Sequence, residues 1–359
     1  MTGTLIALVW ANVERGSYVR FSHLLHFVVN DIGMAFFFAL AAKEVTEATA
    51  PGGALHSPRR AAMPLAAAVG GMLGPALIFI TLTIAMDRPN LERGWAVPTA
   101  TDIAFSYLAA RIIFGARHPA IPFLLLLAIA DDAIGLLIIA AFYPTGPVRP
   151  VDLAVFVSAG MLLAAWLRKR GVMNFWIYLV GGLLSWIGFY RGGVHPALAL
   201  VPIIPFLPHA ARDPGLFVEA PHLHDPLDEF EHTFKPAVGV MLFFFGLVNA
   251  GVVLSNFGAG TWFVLASILL GKPIGVLAAV ACASAAGLRL PVHVTWRDVT
   301  VIGIVAGIGF TVALFFATAA FPYGRLLDEV KMGALLSFVA FLIALIAARI
   351  LKVGTSARK

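Results

Sequence analysis

From Pro236 to Gly271 this chain carries no Asp, Glu, Lys or Arg. Similar uncharged runs recur at 61–86, 153–167, 171–190, 192–208, 273–288, 299–324 and 332–348. A hydrocarbon core of about 30 Å takes about 20 helical residues to cross, and inside it only helices or closed barrels satisfy the backbone. No run alternates like a barrel strand, so the chain reads as an all-α polytopic membrane protein. Composition agrees: 60% of the 359 residues are hydrophobic and 12% are charged, against about 25% charged in soluble domains. Eleven spans are expected, near 27–43, 62–86, 95–113, 120–142, 151–167, 173–189, 193–208, 236–254, 261–285, 299–321 and 332–350. Met1–Trp10 is the remnant of a twelfth, apolar but too short to span and without the basic start of a signal peptide. The single cysteine, Cys282, lies in an apolar span, which excludes an intramolecular disulfide.

Loop charges give the orientation. One alternate set, with the tail, holds sixteen basic residues: Lys43, Arg59, Arg60, Arg111, Arg117, Arg168, Lys169, Arg170, Arg212, Lys235, Arg289, Arg297, Arg349, Lys352, Arg358 and Lys359. The other holds eight: Arg15, Arg20, Arg88, Arg93, Arg149, Arg191, Arg325 and Lys331. The richer side is expected to be cytoplasmic, which puts the C-terminus in the cytoplasm. The net charge of +6 is then a topology signal, with membrane lipid and not nucleic acid as the partner. The longest loop, about 209–235, is expected to lie on the surface.

Few charges remain inside the spans: Lys272, Asp31, Asp102, Asp131 and Asp132, with Glu44 near a span end. An intramembrane carboxylate costs about 2.5–3.5 kcal/mol on insertion scales, so each is a functional candidate, with a structural ion pair between helices as the plain alternative. Asp131 and Asp132 stand together in LAIADDAIG (127–135), within 121–142, where they are the only charged residues. Neighbours on a helix point about 100° apart, so the two cannot share one partner face. One meets a cation on one side while the other faces water. Such a pair titrates as a coupled unit and holds protons or a hard, oxygen-seeking cation, but not comfortably both. That competition is the chemistry of an exchanger.

Two stretches suggest interrupted helices. In WAVPTATDIAFS (95–106), Pro98 lacks an amide hydrogen and clashes with the preceding turn, while Thr99 and Thr101 offer hydroxyls to freed backbone groups. Asp102 then begins a helical half, where a negative charge meets the positive dipole end. In VIGIVAGIGFTVALFF, Gly303 and Gly307 fit a small-residue packing face, which does not account for Gly309-Phe310-Thr311. Interrupted helices in corresponding positions of two halves point to a transporter site built from inverted repeats. The corresponding triplets are about 62–142 and 261–350, with 27–43 and 151–254 as interface helices of a single transporter domain over 1–359. At a crossing of the two breaks, Asp102 neutralises the positive helix ends and Lys272 the negative ones.

With GGVHPALA (192–199), EHTFKPAV (231–238), FGLVNAGV (245–252), GKPIG (271–275) and GIGFT (307–311), these motifs, in this order, resemble the NhaA-type sodium/proton antiporter family from Asn30 onward. That family is one of those on which the interrupted-helix rule rests. The resemblance implies two inverted repeats, about 12 transmembrane helices and two broken, crossing helices at Pro98 and at Gly307 and Gly309. It implies binding of the transported Na+ (or Li+) and H+ at Asp132 and Asp131, with Asp131 paired to Lys272 and with Thr101 and Asp102 in the crossed assembly. Exchange would be electrogenic and pH-regulated, in a bacterial cytoplasmic membrane, with no cofactor. Glu44 and Glu231 match pH-response positions; solvated acids at helix ends are the plain reading of both. In AAKEVTEATAPGG a lysine precedes Glu44, and no basic residue stands where the family pattern reads EVKRE. The shortened start also lacks a hairpin that can carry dimer contacts, so homodimer and monomer both stay open. His195 is expected to be a packing or backbone partner and not a titrating site.

Two rival classes fit these residues less well. A sodium-coupled symporter of a small organic anion would need a roomy polar cavity. An intramembrane aspartyl protease would put its aspartates on two helices, and a magnesium-dependent lipid-phosphate transferase would put them at the membrane surface. An adjacent, central pair beside a buried lysine suits neither enzyme.

Overall fold

The computed structural model describes residues 1–209 and 225–354. Residues 210–224 of the expected surface loop, Arg212 included, and the tail residues Arg358 and Lys359 lie outside them. Every regular element among the described residues is helical. In chain order these are α1 (Thr2–Val13), α2 (Arg15–His26), α3 (Met34–Thr49), α4 (Pro58–Ala85), α5 (Ile103–Phe114), α6 (Ala120–Phe142), α7 (Pro150–Lys169) and α8 (Phe175–Gly192). After them come α9 (Pro226–Asn249), α10 (Ala259–Ala266), α11 (Lys272–Ala285), α12 (Trp296–Val305), α13 (Phe310–Ala320), α14 (Arg325–Leu336) and α15 (Val339–Leu351). Two π-helical turns carry the chain onward without a break: Phe27–Gly33 between α2 and α3, and Ser267–Gly271 between α10 and α11.

Six continuous helices are long and apolar enough to cross a bilayer: Arg15–Thr49, Ala61–Ala85, Ala120–Phe142, Pro150–Lys169, Ala259–Ala285 and Arg325–Leu351. A seventh span is the pair α12–α13, bent by 50° at its break. Among the described residues, fewer helices meet that length and composition than the eleven spans read from hydropathy, and particular segments show why. The stretch 193–208 is not an α-helix; it holds only the 3-10 turns Pro196–Leu198 and Ile204–Phe206. Prolines at 196, 202, 205 and 208 each remove an amide donor and bias the preceding residue away from the helix. The stretch 95–113 reduces to the 3-10 turn Val97–Thr99 and α5. In the other direction, α9 begins at Pro226, ten residues ahead of the expected span, because the Asp225 side chain caps the Asp228 amide at 2.9 Å and Pro226 suits the first helical position. The first long helix likewise starts at Arg15, well before the expected 27.

The chain divides into two compact units. The first comprises Met1–His56 and Gly135–Gly251. Its core gathers Ala35 and Ala39 of α3, Ala164 and Leu167 of α7, Phe175 and Tyr178 of α8, the proline-rich residues Ile203 and Ile204, and Phe230 of α9. The π turn in this unit aligns Asn30 with Asn249 of α9, and the two amides exchange hydrogen bonds at 2.8 and 3.1 Å. Tyr18 and Ser22 of α2 donate to the Val248 carbonyl, at 2.8 and 2.9 Å, and so close the carboxyl end of α9.

The second unit comprises Ser57–Ile134 and Val252–Lys359. Its core joins Ala67 and Ala68 of α4, Ala109 of α5, Leu127 of α6, Val276 and Val280 of α11 and Ile302 of α12. Helices α4 and α11 meet backbone to backbone. A Cβ at Gly275 would lie 2.0 Å from the Gly70 carbonyl oxygen, and one at Gly74 would lie 2.1 Å from that of Gly271. Small residues permit this approach where lipid tails supply no hydrophobic drive between helices.

Gly275→Ala is therefore expected to lower the melting temperature in detergent, by an overpacking penalty of about 1–3 kcal/mol. The control Gly239→Ala, where nothing lies within 4 Å of the added Cβ, should leave it unchanged or raise it. Equal melting curves for the two variants would refute the close contact.

Candidate ion-binding site

The site grows out of two chain breaks in the second unit. In the first, the turn Val97–Thr99, opened by Pro98, gives way to extended residues at Ala100 and Asp102 before α5 begins. In the second, α12 stops at Val305 and α13 starts at Phe310, with Gly307 and Gly309 between them. The two breaks are bonded to each other. The Asp102 amide donates to the Ile308 carbonyl at 2.7 Å. Ser106 Oγ donates to the Val305 carbonyl at 3.1 Å, and Thr101 Oγ1 lies 3.0 Å from the Ala306 carbonyl. The glycines divide the work between them. A Cβ on Gly303 or Gly307 would press on Pro273 or Ile268 of the neighbouring helix, whereas one on Gly309 would lie 2.8 Å from the Ala100 carbonyl of the other break. Gly303 and Gly307 serve packing, and Gly309 serves the crossing.

Each break leaves uncompensated backbone ends in a medium without water. Asp102 answers the amide ends: Oδ1 accepts from the Phe105 amide at 3.3 Å and Oδ2 from the Thr311 amide at 3.1 Å, so one carboxylate serves the first turns of both α5 and α13. Lys272, fully buried, answers a carbonyl end by donating to the Thr99 carbonyl. The same ammonium reaches Asp131 Oδ2 at 2.6 Å.

The adjacent aspartates receive different surroundings. Asp131 is 4% exposed; its Oδ2 takes Lys272 and also lies 2.6 Å from Thr101 Oγ1, while its Oδ1 has no hydrogen-bond partner among the described residues. Thr101 has a single hydroxyl hydrogen within reach of both Asp131 and the Ala306 carbonyl. Asp132, half-buried on the next face of α6, receives no hydrogen bond from the described residues. The helical offset of about 100° thus fixes one carboxylate in an ion pair and keeps the other open.

The other acidic candidates, Asp31, Glu44 and Glu231, fall in the first unit. His195 Nδ1 accepts from the Ala197 amide at 3.3 Å and comes no closer than 3.7 Å to Asp31. An accepting nitrogen carries no proton, so this approach is not an ion pair. Lys43, assigned to a loop by charge counting, is buried in α3 between Glu47 at 2.7 Å and Glu231 at 2.5 Å, and Glu231 also takes Lys235 at 2.9 Å. Burial works to raise the Glu231 carboxyl, but hydrogen bonds from the two lysines outweigh it and hold it below the usual range. Glu44 forms no ion pair among the described residues. In the sequence these contacts show only as the i,i+4 spacings Lys43–Glu47 and Glu231–Lys235. Lys331, also assigned to a loop, is buried in α14 over the Tyr323 ring. Among the described residues no three His, Cys, Asp or Glu side chains converge as a resident metal site.

Crossed helix breaks packed beside the adjacent carboxylates of α6 and the buried lysine of α11 are the arrangement of a polytopic transporter. A family model described as Na+/H+ antiporter 1 matches residues 1–351, and the chain belongs to that family. A protein named Na(+)/H(+) antiporter NhaA from Desulfitobacterium hafniense is 48% identical over 97% of this chain and 92% of its own length. One of the same name from Geobacter metallireducens is 47% identical over 98% of this chain and 95% of its own length. Among solved structures, the sodium proton antiporter MjNhaP1 from Methanocaldococcus jannaschii at pH 8 shares the fold, with a TM-score of 0.60 at 13% identity over 100% of this chain and 91% of that one.

Removing one member of a buried pair leaves an uncompensated charge, at a cost of about 3–5 kcal/mol. Lys272→Ala is therefore expected to melt well below the wild type, having also lost the cap on Thr99. Asp131→Asn combined with Lys272→Gln should melt above Lys272→Ala, because both charges leave together. A double variant markedly less stable than Lys272→Ala would rule out the pair.

Proposed function

We propose that the chain exchanges cytoplasmic Na+, or Li+, for external H+ across a bacterial cytoplasmic membrane. Asp132 is the principal cation and proton ligand, with Asp131 and Thr101 beside it. The observation that carries the reading is the unequal pair on α6: Asp131 bound to Lys272 at 2.6 Å, Asp132 half-buried and open. An anionic oxygen without a committed partner attracts a hard cation and, with no cation present, a proton. Membership of a Na+/H+ antiporter family names the two ions. Asp102 and Lys272 hold the crossing in place, and the halves 62–142 and 261–350 are the inverted repeats that rock around it. Glu44 and Glu231 belong to the pH response at the cytoplasmic end, with Lys43 as the cation that joins Glu231 to α3. The C-terminus lies in the cytoplasm.

Purified protein in proteoliposomes tests this directly, through cation-induced pH changes with Na+, Li+ and K+ compared. Asp132→Asn keeps the shape and removes the charge, so it should abolish exchange while the protein still inserts. Normal Na+-driven proton release by a well-inserted Asp132→Asn protein would sink the assignment.

Two adjacent carboxylates load two protons, whereas one Na+ fills the site, so exchange is expected to be electrogenic. An imposed membrane potential should then build a Na+ gradient. A potential without effect on Na+ distribution would show that charge is not moved.

A further inference from the structure

Ser267 is fully buried, and its hydroxyl has no hydrogen-bond partner among the described residues. A helical serine ordinarily donates to a carbonyl three or four residues back, and a buried polar group left unpaired is costly enough to call for an explanation. Ser267 opens the π turn that ends immediately before Lys272. Hydrogen bonds in a π turn close over five residues, so Lys272 follows Ser267 by one turn on the same face. Helical side chains lean toward the amino end of their helix, which carries the lysine stem back over the turn that bears Ser267. The π turn also packs against Val97–Thr99, whose last carbonyl holds the Lys272 ammonium.

We infer that Ser267 is a positioning residue for the exchange: its hydroxyl is the standby acceptor for the Lys272 ammonium when Asp131 is neutralised. This rests on the proposed function. An ammonium offers three N–H donors, and here one goes to Thr99 and one to Asp131. When a proton or Na+ occupies Asp131, that carboxylate no longer holds the lysine. Lys272 keeps its own proton and its bond to Thr99, and the freed N–H turns to Ser267 Oγ one turn away. Without that oxygen, a buried cation would be left with an unpaired donor in the loaded state. The hydroxyl therefore stabilises the loaded state and contributes nothing to the ion-paired one, in keeping with its being unpartnered here.

Steady-state exchange by Ser267→Ala and Ser267→Thr in proteoliposomes at one pH, with melting curves in Na+-free buffer, tests the inference. Ser267→Ala should raise the KM for Na+ about fivefold and keep turnover at saturating Na+ within about twofold. Its melting temperature without Na+ should equal or exceed that of the wild type, since an unpaired buried hydroxyl has been removed. Ser267→Thr, which keeps the hydroxyl, should return KM to within about twofold of wild type. A wild-type KM in Ser267→Ala overturns the inference. So does a lower Na+-free melting temperature, which would make the hydroxyl part of the resting fold. A wild-type protein that moves no Na+ would overturn the proposed function, and this inference with it, so the two failures are distinguishable.

Discussion

Two broken helices in hydrocarbon are the constraint on which the rest of the second unit depends. A break exposes amide and carbonyl ends that water would otherwise satisfy, and the chain must supply partners from within. Asp102 takes amides from α5 and α13 at once, and Lys272 takes the Thr99 carbonyl. Neutral groups on Thr101, Asp102 and Ser106 take the carbonyls of the other break. The glycine seam of α4 and α11 serves the same end, because Lys272 rides on α11 and its position is set by how closely that helix approaches its neighbour.

Lys272 has two tasks, one structural and one electrostatic. It closes a helix end and pairs with Asp131, and this couples the charge of the site to the geometry of the break. A cation or proton arriving at the aspartates changes what the lysine must bond to, without requiring it to abandon Thr99. Asp132 is spared this arrangement by the helical offset alone. Two residues of one type, adjacent in sequence, are thereby given unequal roles by direction and not by composition.

The first unit solves a different problem. Its long helix Arg15–Thr49 carries a π turn at Asn30 and Asp31 and, about two turns before its end, a buried lysine, Lys43. Lys43 is tolerated there because Glu47 lies one turn on and Glu231 comes from α9. The proline-rich stretch 193–208 stays buried without being a helix because its 3-10 turns satisfy part of the backbone locally and pack on α3.

By itself the sequence determined the membrane character, the helical class, the family likeness and which charged residues stand out inside apolar runs. Hydropathy over 20 residues is a bulk property, and a carboxylate in an apolar run is conspicuous whatever surrounds it. It also located both breaks, since Pro98 and the Gly307–Gly309 pair act on their own backbone. The number of full spans was not legible, because an uncharged run such as 193–208 looks alike to lipid whether it is helical or turned. Nor were the pairing of Lys43 with Glu231 or the isolation of Ser267, since both depend on residues far apart in the chain that only packing brings together. The unequal fates of Asp131 and Asp132 lie between these cases. Their divergence follows from the helical repeat, but which of the two meets Lys272 was decided by the approach of α11 in three dimensions.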